Sequence, residues 1–220
     1  MPPDVTPSDE NPGGDDTGGD GDDGLFPPED EEVKKYRVRG EDVSIISERV
    51  QYYDVGGKLI TESLIDYTKK NILGEYATLD SFINQWNKEE RKQAIIDELR
   101  EQGIFLDVLK EESGLKDVDD FDLICHIAYD KKPLTRAERA QNVKKKDYLS
   151  KYSDAAKRVL EALLDKYMEN GISDIENLEV LRTEPFRSYG SPMKIAKLFG
   201  GKKQYLNAVI ELQNYIYEIA

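Results

Sequence analysis

The sequence predicts a mainly α protein: a multi-helix domain with a small N-terminal β-hairpin and a disordered acidic N-terminal tail. Apolar residues recur at helical spacing through most of the chain, most clearly from Ser153 to Gly171. There Ser153 is a natural N-cap, and Gly171 suits the left-handed conformation that ends a helix. Before the helices, a β-branched and aromatic stretch covers about residues 33–60, and residues 1–32 are almost free of apolar side chains.

The acidic residues of the tail dominate the net charge of the chain. The 220 residues carry a formal charge of −14, but residues 1–32 hold 12 acidic residues and no Lys or Arg. The remaining 33 acidic and 31 basic residues nearly cancel, so the predicted domain at 33–220 is close to neutral. We interpret residues 1–32 as a disordered linker. A nucleic-acid mimic is the alternative, disfavoured because Phe26 is the segment's one aromatic anchor.

The stretch from Lys34 to Tyr53 favours two short strands, because β-branched and aromatic residues partly alternate with polar ones. Gly40 to Asp42 is predicted to be the turn between the strands, and Asp54 to Lys58 a turn after the second. A hairpin of this size is marginally stable alone, so we expect it to pack on the helices or to join a larger sheet.

From Thr61 onward the apolar pattern is helical. Short polar residues that can cap a first turn predict helix starts at Thr61, at Thr78 or Asp80, and at Asn87, Thr135, Ser153 and Ser191. Glycines predict helix ends at Gly103, Gly114, Gly171 and Gly200. Apolar spacing predicts further helices over Phe105 to Leu109, Phe121 to Tyr129, Ser173 to Leu181 and Lys203 to Ile219, with a loop over Pro185 to Tyr189.

Composition excludes several classes of protein. A single cysteine, Cys125, cannot form an internal disulfide. No apolar run approaches the roughly 18 residues that a membrane span needs, and the N-terminus lacks the features of a signal peptide. We therefore expect a reduced, cytoplasmic protein without a membrane partner.

The sequence predicts no catalytic, cofactor-binding or metal-binding residue. No second His accompanies His126, and its sequence neighbour Cys125 points elsewhere on a helix, so we interpret His126 as a core or interface histidine. The acidic cluster from Asp117 to Asp122 fails the calcium-loop pattern, so helix-start carboxylates are the favoured interpretation. A phosphate-binding glycine loop is also absent.

One basic segment is a candidate nucleic-acid contact. It comprises Arg136, Arg139, Lys144, Lys145 and Lys146. Either these residues form an ordinary solvated helix face, which is favoured, or they bind the DNA backbone without sequence specificity.

Three stretches of the chain carry a family resemblance. They are residues 49–68, residues 121–140, and the group Leu163 to Tyr167, Gly171-Ile172 and Phe199 to Gly201. Together they resemble the C-terminal region of the R (restriction and motor) subunit of type I restriction-modification enzymes, over about residues 33–217. Their order and spacing, more than any single motif, carry the resemblance.

The resemblance implies a fragment that is not an enzyme on its own. In that family a nuclease domain and two helicase-like motor domains precede this region, and the helical domain docks the R subunit onto the methyltransferase M and S subunits. ATP and Mg are implied for the parent subunit, an ATP-dependent site-specific deoxyribonuclease, and none for this fragment. DNA is reached through the holoenzyme. An auxiliary DNA-backbone-binding module is the alternative, and a stand-alone enzyme is a third hypothesis.

A docking role directs attention to residue types that are common at interfaces. Aromatic residues, Met and Arg are enriched there. The candidates are Arg182, Arg187, Tyr189 and Met193, with Tyr215 and Tyr217 on the predicted last helix.

Overall fold

A computed structural model describes residues 33–38, 41–46, 49–53 and 55–218, and it describes side chains from residue 49 onward. The acidic tail at 1–32 lies outside the described residues, so its disorder and the domain boundary after it stay predictions. The description of secondary structure below refers to the described residues.

Four strands form an antiparallel sheet at the start of the fold. They are β1 (Val33–Val38), β2 (Glu41–Ile46), β3 (Arg49–Tyr53) and β4 (Leu59–Ser63), in the order β1-β2-β3-β4. The predicted hairpin is confirmed as β1 and β2, in which Val38 lies opposite Glu41. The sheet is larger than predicted, because the stretch assigned to one second strand reverses after Ile46 and pairs Ile45 with Val50.

The reversal after Ile46 carried no turn signal in the sequence. Two polar residues, Ser47 and Glu48, separate β2 from β3, and neither is the Gly or Asn that usually marks a two-residue hairpin. The predicted turn after Tyr53 is present at residues 55–58, and it joins β3 to β4.

Ten α-helices follow the sheet. They are α1 (Leu64–Glu75), α2 (Leu79–Lys88), α3 (Lys92–Glu101), α4 (Leu106–Ser113), α5 (Asp120–Tyr129), α6 (Arg136–Lys145), α7 (Asp154–Asn170), α8 (Ile172–Glu176), α9 (Pro192–Leu198) and α10 (Lys202–Ile216). Short 3-10 helices cover Asp147–Lys151, Leu178–Arg182 and Phe186–Tyr189.

Most predicted helix starts are confirmed by side-chain caps. Thr78 and Thr135 form capping boxes, with Ser81 and Glu138 respectively, and Ser153 and Ser191 each accept a bond from a first-turn amide. The residue Thr61 does not cap a helix, because it lies in β4. The cap of α1 is Ser63, whose hydroxyl accepts from the Asp66 amide.

The start predicted at Asn87 is wrong, because α2 runs through Lys88 and α3 begins only at Lys92. Arg91, the residue before α3, makes no side-chain cap bond. A distant residue supplies the cap: the Glu176 carboxylate accepts from the Lys92 amide at 2.5 Å and from the Gln93 amide at 3.2 Å. A cap that comes from 84 residues along the chain leaves no local sequence signal.

The same corner buries the amine of Lys92. Its Nζ donates to the carbonyl of Trp86, and to that of Glu89 at 2.5 Å, so it satisfies backbone groups at the end of α2. Burial lowers the pKa of this amine, while the nearby Glu176 and Glu89 carboxylates oppose that shift. The corner between α2 and α3 is therefore held by two charged side chains, the buried Lys92 and the half-buried Glu176.

The C-terminal third differs in detail from the predicted helices. The helix expected over Ser173 to Leu181 is interrupted between α8 and the 3-10 helix that follows, because the Asn177 side chain accepts from the Glu179 amide and starts the next turn. A 3-10 helix lies within the loop predicted over Pro185 to Tyr189. The last helix, α10, ends at Ile216 instead of Ile219.

The core is built on α7, as its apolar stripe predicts. The stripe is buried throughout, at Ala156, Val159, Leu160, Leu163, Leu164 and Tyr167. This helix packs against α6, α8 and α9, and α1 packs against α5. An aromatic cluster of Phe82, Trp86, Phe121 and Tyr217 connects α2 and α5 to the end of α10, and its neighbouring ring centroids are 5.0 to 5.6 Å apart.

None of the helices in the described part of the chain has the length and the apolar content to cross a bilayer.

The distant cap on α3 generates a stability prediction. Replacing Glu176 by Ala leaves two first-turn amides of α3 without their acceptor, so the free energy of unfolding should fall by about 1–2 kcal/mol. Urea unfolding followed by circular dichroism measures the change. The matched control is Glu179→Ala, which removes an exposed carboxylate of the next turn and should cost less than about 0.5 kcal/mol. Equal losses for the two variants would contradict the cap.

Candidate functional site

Arg139 of α6 and Asp122 of α5 form a buried ion pair. The Arg139 guanidinium is only 5% exposed, and it binds the Asp122 carboxylate through both Nε and Nη2, the latter at 3.0 Å from Oδ1. Its Nη1 donates to the Ile216 carbonyl at 2.5 Å. One guanidinium therefore links α5, α6 and the C-terminal end of α10.

Two aromatic rings flank the same guanidinium. Its central carbon lies 4.9 Å from the centroid of Phe121 and 5.4 Å from that of Tyr217. A guanidinium is more weakly hydrated than an ammonium and stacks on aromatic faces, so arginine suits this dry position better than lysine.

Asp119 extends the network to α7. It caps α5 by accepting from the Phe121 amide at 2.9 Å, and its other oxygen accepts from the hydroxyls of Tyr167 at 2.6 Å and Tyr217 at 3.4 Å. Burial raises the pKa of Asp119 against the opposing effect of the Arg139 charge. Burial also raises the pKa of both tyrosines, so each hydroxyl stays protonated and serves as a donor.

This arrangement confirms one interpretation of the acidic cluster and adds a second role. Asp119 is a helix-start carboxylate, as predicted, and Asp120 and Asp122 lie in the first turn of α5. Sequence reasoning missed that Asp119 and Asp122 are buried. The available signal was their position on an otherwise apolar helix, where a carboxylate requires a cationic partner.

Cys125 and His126 are adjacent in sequence but lie in different environments. Burial raises the pKa of the Cys125 thiol to about 12, so the thiol is protonated and unreactive near neutral pH. His126 is exposed, which contradicts a core position, and its Nδ1 lies 2.9 Å from the Lys131 carbonyl. In the part of the chain that is described, no three His, Cys, Asp or Glu side chains are grouped so as to hold a metal ion.

The structure removes Arg139 from the predicted DNA-contacting set, because its guanidinium is buried and engaged by Asp122. Arg136 is half-buried, and its Nε donates to the Met168 carbonyl at 3.3 Å near the end of α7. These two arginines therefore hold α6 against its neighbours instead of facing solvent as a pair.

The three lysines of the predicted set lie at the C-terminal end of α6 and remain accessible. Lys144 pairs with Asp165 at 2.7 Å, and Lys146 pairs with Glu218. Lys145 is exposed and forms no salt bridge with a described residue. The predicted five-residue patch is thus reduced to three lysines, two of which are already neutralised by a carboxylate.

The predicted interface residues differ in exposure. Met193 is 71% exposed on α9, and Arg182 and Arg187 are also exposed. The Arg187 Nε donates to the Arg182 carbonyl at 2.7 Å, so the two arginines lie close together. Tyr189 is half-buried against the core.

The two tyrosines predicted near the end of the last helix are less exposed than expected. Tyr217 is only 2% exposed, because it packs inside the aromatic cluster and donates to Asp119. It is therefore not an interface residue. Tyr215 is half-buried and stacks on Tyr148, with ring centroids 4.0 Å apart.

An exposed apolar surface occurs where no interface residue was predicted, at the β3–β4 hairpin. Tyr53 is 58% exposed, and it lies directly opposite Leu59, which is also exposed. Val55, in the connecting turn, is fully exposed. A cross-strand apolar pair on a solvent-facing hairpin is unusual for a surface without a partner. We refer to Tyr53, Val55 and Leu59 as the hairpin patch.

A cleft of about 680 Å³ opens beside the buried ion pair. Its walls come from the start of α2, from α5, from residues 131–134, from α6, and from the end of α10. Asp122 and Arg139 line it, together with Lys131, Lys132, Lys146 and Glu218. We refer to this space as the α5–α6 cleft.

The chain is similar to proteins of one family. Residues 62–217 match the family model described as EcoEI R protein C-terminal. The chain is 50% identical over 218 residues to the Type I restriction enzyme EcoAI endonuclease subunit of Escherichia coli. That alignment covers 98% of this chain but only 27% of the relative, so the chain spans about a quarter of the length of the curated protein it matches. No solved structure matches the chain.

The buried ion pair generates a second stability prediction. Arg139→Met or Asp122→Ala alone leaves a buried charge without its partner, so each should lower the free energy of unfolding by about 3–5 kcal/mol. The double variant should cost about 2 kcal/mol less than the sum of the two, because it leaves neither charge isolated. Guanidinium unfolding of the four proteins measures this coupling. Lys144→Ala, which breaks an exposed pair, is the control and should cost less than about 1 kcal/mol. Additive losses at Arg139 and Asp122 would contradict a coupled pair.

Proposed function

The chain belongs to the EcoEI R protein C-terminal family, the C-terminal part of a type I restriction R subunit, and from that membership we propose that it is a docking domain. It attaches the nuclease and ATP-dependent translocase of the R subunit to the methyltransferase core of M and S subunits. In this role it performs no chemistry itself. ATP, Mg²⁺ and DNA cleavage belong to the preceding parts of the subunit, and the complex works in the cytoplasm.

The hairpin patch is the observation that carries this proposal. Tyr53 and Leu59 face each other across two paired strands, and Val55 continues the apolar surface into the turn. Large apolar side chains on paired strands can serve as interface anchors, because the strand pairing holds their backbone in place. Met193, far along the chain on α9, adds a second exposed apolar side chain of a type enriched at interfaces.

The charged residues of the domain support a docking role over catalysis. The ion pair between Arg139 and Asp122 is buried and links three helices, so it holds them together and does not face solvent. The one thiol is held protonated by burial. Both features suit a scaffold that presents a fixed surface to other subunits.

The first test is assembly with purified M and S subunits of the same system. The wild-type chain should co-elute with them in size-exclusion chromatography, with the mass of the complex read by light scattering. Tyr53→Ser combined with Leu59→Ser should weaken the complex at least about tenfold, because it removes both anchors of the hairpin patch. Leu178→Ser is the matched control, since Leu178 is similarly exposed but lies on a different part of the fold. A wild-type chain that elutes apart from M and S would refute docking.

An auxiliary contact with the DNA backbone is the second candidate function. The adjacent lysines 144, 145 and 146 favour it, because all three are accessible at the end of α6 and Lys145 has no salt bridge with a described residue. Contacts of this kind read no sequence and weaken steeply with salt.

Duplex binding at several salt concentrations tests this candidate. Changing lysines 144, 145 and 146 together to Ala should reduce the magnitude of the slope of log K against log salt by about one for each lysine that contacts a phosphate. The expected reduction is about one if Lys145 acts alone, and about three if Lys144 and Lys146 exchange their carboxylate partners for phosphates. Lys202→Ala with Lys203→Ala is the control, since both are exposed at the start of α10. An unchanged slope and affinity in the triple variant would refute the contact.

A further inference from the structure

The α5–α6 cleft has a surplus of positive charge. Two of its charged groups, Arg139 and Asp122, neutralise each other, and Lys146 pairs with Glu218. Lys131 and Lys132 also line the cleft, are exposed, and form no salt bridge with a described residue. The cleft therefore presents at its rim two amines that are free of salt bridges with described residues, and these attract an anionic ligand. The Glu138 carboxylate is near enough to act on Lys132 electrostatically, but it forms no salt bridge with it.

Apart from the Arg139–Asp122 pair, the buried lining of the cleft is mainly apolar. Phe121 and Ile216 are buried side chains that line it, and the half-buried Leu134 and Tyr215 lie beside them. A ligand that matches this cleft must combine negative charge, for the rim, with an apolar group, for the interior. A simple inorganic anion satisfies the rim alone.

A carboxylate already occupies one end of the cleft. Glu218, on the segment that follows α10, binds the Lys146 amine, which also lies 5.4 Å from the centroid of Tyr215. The Glu218 side chain is 55% exposed, so this pair is readily exchanged for another carboxylate. The contact between Glu218 and Lys146 is of the kind that a carboxylate of an acidic ligand would make in this cleft.

These features favour a peptide over a nucleic acid. The DNA backbone offers phosphates but no apolar group for the cleft interior, and it is contacted by rows of cations on open surfaces. An acidic peptide segment supplies carboxylates to Lys131 and Lys132 and an apolar side chain to the wall formed by Phe121 and Ile216. We propose that the α5–α6 cleft binds an acidic peptide segment, with at least one apolar side chain, of a partner subunit.

This assignment rests on the proposed docking function, and it specifies the chemistry of the partner segment that the cleft binds. It predicts that the chain recognises short peptides of the M or S subunit in which acidic residues flank an apolar one. The hairpin patch then supplies a separate apolar anchor, while the cleft supplies charge selectivity. Charged groups at an interface rim act chiefly on the association rate and on the choice of partner.

A tiled array of 15-residue peptides covering the M and S sequences tests the assignment, with the 220-residue chain as the labelled probe. The wild-type chain should bind peptides that combine acidic and apolar residues. Lys131→Glu with Lys132→Glu should weaken the binding of those peptides, measured in solution by fluorescence anisotropy, at least about tenfold. Lys202→Glu with Lys203→Glu makes the same change in net charge away from the cleft, and it should alter affinity less than about twofold. Circular dichroism verifies that both variants fold, which is expected because all four lysines are exposed.

The outcomes separate this assignment from the docking function. A wild-type chain that assembles with M and S but binds no acidic peptide overturns the cleft assignment alone. Equal weakening by the two charge reversals also overturns it, because the effect would then depend on net charge and not on the cleft. Loss of duplex DNA binding, with peptide binding unchanged, would assign the rim lysines to DNA instead. A chain that neither assembles nor binds peptides overturns both proposals.

Discussion

The fold depends on one buried ion pair. Arg139 on α6 binds Asp122 on α5 through two nitrogens and the carbonyl of Ile216 through a third. Moving two charges out of water costs several kcal/mol per ion unless each finds a partner, so the three helix segments must meet in one arrangement for the domain to be stable. The guanidinium also lies against the rings of Phe121 and Tyr217, which favours the same arrangement.

The sequence predicted those parts of the fold that depend on neighbouring residues. Caps at Thr78, Thr135, Ser153 and Ser191, and the buried stripe of α7, follow from local rules of hydrogen bonding and periodicity. The sequence did not predict features whose stabilising partner lies far along the chain. The Glu176 cap on α3 and the burial of Arg139 each depend on chain segments that only the folded structure brings together. The separation of β2 from β3 was missed for a local reason, because Ser47 and Glu48 carry no turn signal.

The candidate site was predicted less well than the fold. The predicted DNA-contacting set placed Arg139 with the lysines at the end of α6 only because all of them are basic. A charged side chain on a helix can, however, face either the core or the solvent. The side that each residue faces depends on the packing of α6 against α5 and α10, which the sequence of α6 does not contain. The hairpin patch was missed because β4 was not predicted: a helix was expected to start at Thr61, so Leu59 had no predicted strand partner.

The corner between α2 and α3 limits where the chain can be truncated without loss of stability. Its charged clamp uses Lys92 from the N-terminal half of the helical region and Glu176 from the C-terminal half. An N-terminal fragment that stops before α8 would lack the acceptor for two amides of α3, and its buried amine would lose a nearby countercharge. The cap therefore couples the first turn of α3 to α8, which lies in the other half of the helical region. A truncation placed between α3 and α8 would therefore destabilise the start of α3, although it removes no residue of that helix.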